Sequence, residues 1–118
     1  MNVKKKGNKG ENALATFLWE NLKDVGGKFW RDNASGGGSR DKGDINNNMD
    51  VCIECKTVKA INLKSAWQQV TIASSKNGNA PVLMIHYDGM PKDTWLTVVH
   101  SDDFVYWFKN SYKYEKKL

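Results

Sequence analysis

The stretch from Asp44 to Val58, DINNNMDVCIECKTV, reads as a strand with charges set into it. Val51, Ile53 and Val58 give it β-branched character. Glu54 and Lys56 nevertheless stand two apart, on one face of that strand, with a carboxylate upstream at Asp44. A strand that only packs does not normally carry such charges. Two carboxylates ending neighbouring strands can hold a hard divalent cation through oxygen atoms. Magnesium suits the pattern, because it accepts one or two carboxylates and keeps its waters. Such an ion neutralises phosphate charge and lowers the pKa of a bound water. Lys56, on the same face as Glu54, can orient that water or stabilise developing negative charge. Together these groups would cut a phosphodiester.

Other residues bear on the same chemistry. Glu11 lies three before Leu14 and seven before Leu18, so on a helix it projects along the apolar stripe. Sharing a metal is one reason for an acid there; a solvated first-turn acid that favours the helix dipole is the plainer one. Gln69 lies three after Ala66 and four before Ala73, flanking a second apolar stripe. Its amide can reach the polar site, or it is a surface glutamine.

Several competing patterns fail on their spacing. Asp44, Asn46, Asn48 and Asp50 start like a calcium loop, but Met49 and Cys55 stand where that loop needs Gly and Glu. The Gly-rich run from Ala34 to Gly43 matches neither phosphate-binding glycine motif, and composition makes it a loop. Cys52 and Cys55 are spaced as a redox pair or half a zinc site. In an extended strand, though, residues three apart point to opposite faces, so reduced core thiols fit better. His86 sits in an apolar run and reads as a core residue, and His100 as a strand-end surface group.

The elements that must position these residues follow from periodicity. A first helix runs from Gly10 to Asp24, with Leu14, Phe17, Leu18 and Leu22 at helical spacing and Gly26-Gly27 as its stop. Lys28 to Asn33 and Asp44-Ile45 read as short strands, Asn46 to Asn48 as a turn, and Val51 to Val58 as a third strand. A second helix begins after Asn62, a plausible N-cap. Pro81 to Tyr87 is a strand covered on both faces, and Trp95 to Val99 pairs with it in a hairpin. Ser101-Asp102-Asp103 opens a last helix whose apolar residues are Phe104, Val105, Trp107 and Phe108. The order is α-β-β-β-α-β-β-α, an α/β fold with a mixed five-stranded sheet flanked by helices. With 118 residues and no internal boundary, the whole chain reads as one domain.

Composition narrows the class. The chain is 40% hydrophobic, enough for a small core, and has no apolar run near the ~20 residues of a membrane span. The N-terminal MNVKKKGNKGEN lacks the apolar region of a secretory signal, so a cytoplasmic protein with no membrane partner is expected. The net charge of +5 argues mildly for a polyanionic partner.

Taken together, Glu11, Gly43-Asp44-Ile45, Glu54-Cys55-Lys56 and the Trp67-Gln68-Gln69 helix resemble the PD-(D/E)xK nuclease superfamily, whose signature is Asp44…Glu54-x-Lys56. The stretch from Arg31 to Gly36 before Gly43-Asp44 resembles, more narrowly, the Holliday junction resolvases of archaea and phages. The resemblance implies a restriction-endonuclease-like fold and a magnesium-dependent DNA endonuclease, with manganese able to substitute. Asp44 and Glu54 would ligate the ion with the backbone carbonyl of Cys55, and Glu11 would join directly or through water. Lys56 would help activate the attacking water, Ser35 would approach the scissile strand, and Gln69 would support the site. Lys9, Arg31, Ser35, Arg40, Lys42 and Lys59 are the candidates for DNA contact. A homodimer would set two active sites on opposed strands of branched DNA, in the host cytoplasm if the gene is a phage's. Gly43 stands where the superfamily name writes proline. The alternatives are another endonuclease of the same fold, restriction-like or nicking DNA in replication or repair, and a catalytically silent DNA-binding module.

Overall fold

The computed structural model describes residues 3–31, 42–76 and 78–116. The first helix, α1, runs over Val3–Leu22 and so begins well before Gly10. Lysine is a good helix former, which lets the basic run extend the helix upstream of its apolar stripe. That stripe buries Leu14, Ala15 and Leu18. A single 3-10 turn, Lys23–Val25, follows, and Gly26 ends it in the left-handed region at φ 84°, its N–H donating to the Lys23 carbonyl.

Two short strands come next, β1 at Phe29–Arg31 and β2 at Ile45–Asn47, paired antiparallel. The third strand, β3, spans Val51–Val58 as its β-branched pattern predicts. Helix α2, Leu63–Ser75, starts at Asn62, whose side chain accepts the Ser65 N–H at 3.1 Å. Its small and branched residues Ala66, Val70 and Ser74 are buried, so it lies close on the sheet. It carries the chain across to β4, Ala80–Tyr87, which runs parallel to β3 over its whole length. The last strand, β5, Leu96–Val99, returns antiparallel to β4. The last helix, α3, spans Ser101–Lys116; the Nδ1 of His100 accepts the Asp102 N–H at its start.

The core has two halves, one on each face of the β3–β4 ladder. Ile53, Val82 and Met84 pack with Leu14, Leu18, Phe29 and Ile45 toward α1. Cys52, Leu83 and Ile85 pack with Ala66 and Val70 toward α2. Neither cysteine is in a disulfide, and the two lie in opposite halves, as strand alternation requires. No helix among the described residues is long and apolar enough to cross a membrane.

Two expectations are corrected. The five strands do not form one sheet: β1 and β2 make a two-stranded sheet, and β3, β4 and β5 a three-stranded one. One parallel bridge, Gly43 to Ile53, joins them. The physical reason lies at Asp44 and is developed below. Secondly, α3 gives little of its apolar surface to the core: Trp107 lines a groove with Val82 and Met84 of β4, while Phe104 and Phe108 stay 57% and 63% exposed.

Candidate active site

The site begins where the two sheets part. The Asp44 N–H donates to the Ile53 carbonyl at 2.8 Å, forming half of the single bridge. In a continued parallel ladder the next bond would run from the Cys55 N–H to the main-chain carbonyl of Asp44. Here the Cys55 N–H donates instead to the Asp44 side chain, Oδ2, at 2.9 Å. The carboxylate takes the place of the backbone acceptor, and the ladder stops. Gly43 makes the approach possible. It sits at φ 78°, a conformation that proline, held near −65°, cannot adopt. A Cβ there would also run into the Ile53 backbone. The glycine in place of the superfamily's proline is therefore a geometric requirement of this chain.

Glu54 follows from alternation along β3. It lies on the α2 face with Cys52 and beside Leu83 of β4, so its carboxyl is largely buried. Burial first, then the Asp44 charge and a hydrogen bond with the Asp44 carboxyl, push the Glu54 pKa up to about 8; Lys56 opposes this and the Glu11 charge adds to it. Two carboxyl groups in this contact do not both ionise at neutral pH without a positive charge between them. The Cys55 N–H faces Asp44, and in a strand the C=O of a residue points to the same side as its N–H. The Cys55 carbonyl is thus available at this open edge. Its thiol sits in the same acidic field: burial, then the charges of Asp44, Glu11 and Glu54, hold it far above the usual thiol range.

Glu11 reaches this field from α1. The helix begins more than two turns before it, so it is not a first-turn acid, and the dipole explanation no longer applies. Gly10 packs against the Thr57 side chain of β3 so closely that no Cβ would fit. That brings Glu11 to the strand. Its Oε1 accepts from the Arg31 Nε at 3.0 Å, and the same guanidinium donates to the Asn8 Oδ1 at 2.7 Å. Burial raises the Glu11 pKa, the Arg31 bond lowers it, and the Asp44 charge raises it again. Neither Asn8 nor the Arg31–Glu11 pair was visible in the sequence, since the second half of α1 and the turn after it lie between Glu11 and the strand that carries Arg31.

The remaining expectations fare differently. Gln69 lies on the exposed flank of α2, beside buried Val70, and no hydrogen bond joins its amide to Asp44, Glu54 or Lys56 among the described residues. Lys42, expected to meet DNA, donates to the Met49 carbonyl and the Asn79 Oδ1, closing a turn. Arg31, also expected to meet DNA, is half-buried against Glu11 and Asn8. Lys9 and Lys59 are exposed. Ser35 and Arg40 lie outside the described residues. The expected turn at Asn46 to Asn48 is not where the chain reverses: Asn46 and Asn47 pair with β1 as part of β2, and the bend follows over residues 48–50. Buried Asn47 donates to the Ile45 and Val51 carbonyls, and Asn48 bonds Lys28 and Gly26, which fixes β2 against β1 and β3.

Among the described residues no three His, Cys, Asp or Glu side chains form a ready-made metal cage. What converges is a carboxylate pair, a main-chain carbonyl and a nearby ammonium. That donor set is all oxygen, which fits a hard divalent cation.

The family model described as "Phage putative PDDEXK endonuclease" matches residues 2–117. No curated protein sequence matches the chain.

Proposed function

The chain belongs to this PDDEXK endonuclease family, and on that premise we propose that it is a magnesium-dependent endonuclease that resolves four-way DNA junctions as a homodimer. The family itself carries the nuclease and its DNA substrate. The observation that supports the catalytic assignment is the Asp44–Glu54 pair, buried at the parting of two sheets with Glu54 pushed up to about 8. A fold does not bury two interacting carboxyls for stability, because like charges in low dielectric cost free energy. Strongly perturbed acids in one cluster mark functional sites more often than structural ones.

The roles follow from the contacts. Asp44, oriented by the Cys55 N–H, and Glu54 hold the ion with the Cys55 carbonyl. The bound ion supplies charge neutralisation at the phosphate and a more acidic water. Lys56, half-buried on the same face as Glu54, donates to the attacking water or to the phosphate oxygen that gathers charge. Arg31 keeps the Glu11 carboxylate facing the cluster, so that it can bind the ion's outer waters. Gln69 supports the site from α2 once substrate closes on that flank. Exposed Lys9 and Lys59, with Ser35 and Arg40, meet the phosphate backbone, so affinity falls steeply with salt.

The test is cleavage of a synthetic four-way junction beside a linear duplex of the same sequence, with and without magnesium. The proposal expects paired nicks on opposed strands of the junction, none without metal, and slower cutting of the duplex. Equal cutting of both substrates would end the junction assignment and leave the endonuclease.

A further inference from the structure

Phosphate chemistry can run on one divalent ion or on two. In a two-ion site the metals lie about 4 Å apart and stabilise the attacking and the leaving oxygens together. Such a pair needs a carboxylate that both ions share and a further carboxylate for the second. Asp44 could be shared here, and Glu11 is the third acid in the same field, its charge acting on Glu54 and that of Asp44 acting on it.

Glu11 is already engaged by a cation. Its Oε1 accepts from the Arg31 Nε at 3.0 Å, and the Arg31 Nη2 donates to the Asn8 Oδ1 at 2.7 Å. Asn8 and Glu11 stand three apart on α1, so one helical turn presents both acceptors to the guanidinium fork. The two charged side chains are only 22% and 23% exposed, and water and salt screen such a pair weakly. α1 cannot carry Glu11 closer to Asp44 and Glu54, because Gly10 already meets the Thr57 side chain with no space for a Cβ. In keeping with this, no three acids among the described residues make a metal cage.

The charges agree. A guanidinium does not lose its proton in a protein, so Arg31 is a permanent cation at this position. Asp44, Glu54 and Glu11, when ionised, exceed Arg31 and Lys56 by one negative charge. One divalent ion and the single charge of a phosphodiester bring these groups to balance, whereas a second ion would leave two positive charges unmatched.

We infer that the site takes a single divalent ion, and that Arg31 is the positioning residue that sets this number by holding Glu11 where a second ion would bind. The inference rests on the Asp44–Glu54 metal site proposed above and adds its stoichiometry.

Counting bound ions tests it without reference to cleavage. Manganese is titrated into the full chain near pH 7, without DNA, and the free ion is read by electron paramagnetic resonance. Wild type should bind about one ion per chain, and so should R31K, which keeps the cation. R31M and R31Q, two neutral variants, should each bind about two, and R31M/E11Q about one again. A loss of packing would weaken binding and would not add an ion, and circular dichroism checks that each variant is folded. Two ions on wild type overturn the inference, as do one ion on the neutral variants or a second ion that persists in R31M/E11Q. A wild-type chain that binds no manganese removes the Asp44–Glu54 site itself, a result distinct from a miscounted one.

Discussion

The β2–β3 junction and α3 break the ordinary rules of burial in opposite directions. At the junction, carboxyls that water would stabilise are drawn inside and pressed together, and Glu54 holds its proton to about pH 8. On α3, rings that the core would stabilise are turned out to solvent. Elsewhere the chain is conventional: α2 buries Ala66, Val70 and Ser74, and Asn47 satisfies its buried amide with backbone carbonyls. The contrast teaches that the two anomalies differ in kind. At the junction a bound cation would relieve the repulsion; on α3 the exposed rings show that this helix does not add its apolar residues to the core.

The comparison predicts that damage at the two regions separates cleanly. Glu54→Ala removes one of the two carboxyls proposed to hold the ion, and junction cleavage should fall at least about a thousandfold, on the scale of several kcal/mol of lost charge stabilisation. Junction binding in a gel shift should persist, and so should the dimer. Phe108→Asp should do the reverse: cleavage should be unchanged, and the unfolding free energy should shift by no more than about 0.5 kcal/mol, since the ring is exposed. If Phe108→Asp unfolded the chain instead, α3 would belong to the fold and the contrast would fail.

Gly43→Ala probes how the junction is built. The substituted residue meets a left-handed φ and the Ile53 backbone, so chemical denaturation should show a loss of about 2 kcal/mol or more. A neutral substitution would mean that the bridge to Ile53 does not hold Asp44 in place.

A further effect is expected on the pH dependence of stability. Glu54 binds its proton more tightly folded than unfolded, so between about pH 4.5 and about pH 8 the native state carries the extra proton. Metal-free stability should therefore fall as pH rises through that window and level off beyond it. Glu54→Gln, which stays neutral, should flatten the melting-temperature profile. An identical slope in wild type and Glu54→Gln would place the titration elsewhere.

Much of this was open to sequence reading, for identifiable reasons. The two-residue period of β3 set Glu54 and Lys56 on one face, and the Asn62 cap fixed the start of α2. Local rules suffice for such features. The parting of the sheets was hidden because it turns on one hydrogen bond, from the Cys55 N–H to a side chain rather than a carbonyl. The Arg31–Glu11 pair was hidden because nothing local connects those residues. In α3 the apolar residues were evident, but periodicity reports that a helix has a face to cover and not whether the cover comes from its own chain.

The proposed site stands or falls on whether Asp44 and Glu54 bind a divalent cation together. Calorimetric titration of magnesium into the metal-free protein near pH 7, in two buffers of different ionisation enthalpy, tests it most directly. Glu54 should give up its proton as the ion binds, so the account predicts close to one proton released per ion, lost in Glu54→Gln. Magnesium binding with no proton released, or binding unchanged in that variant, would contradict it.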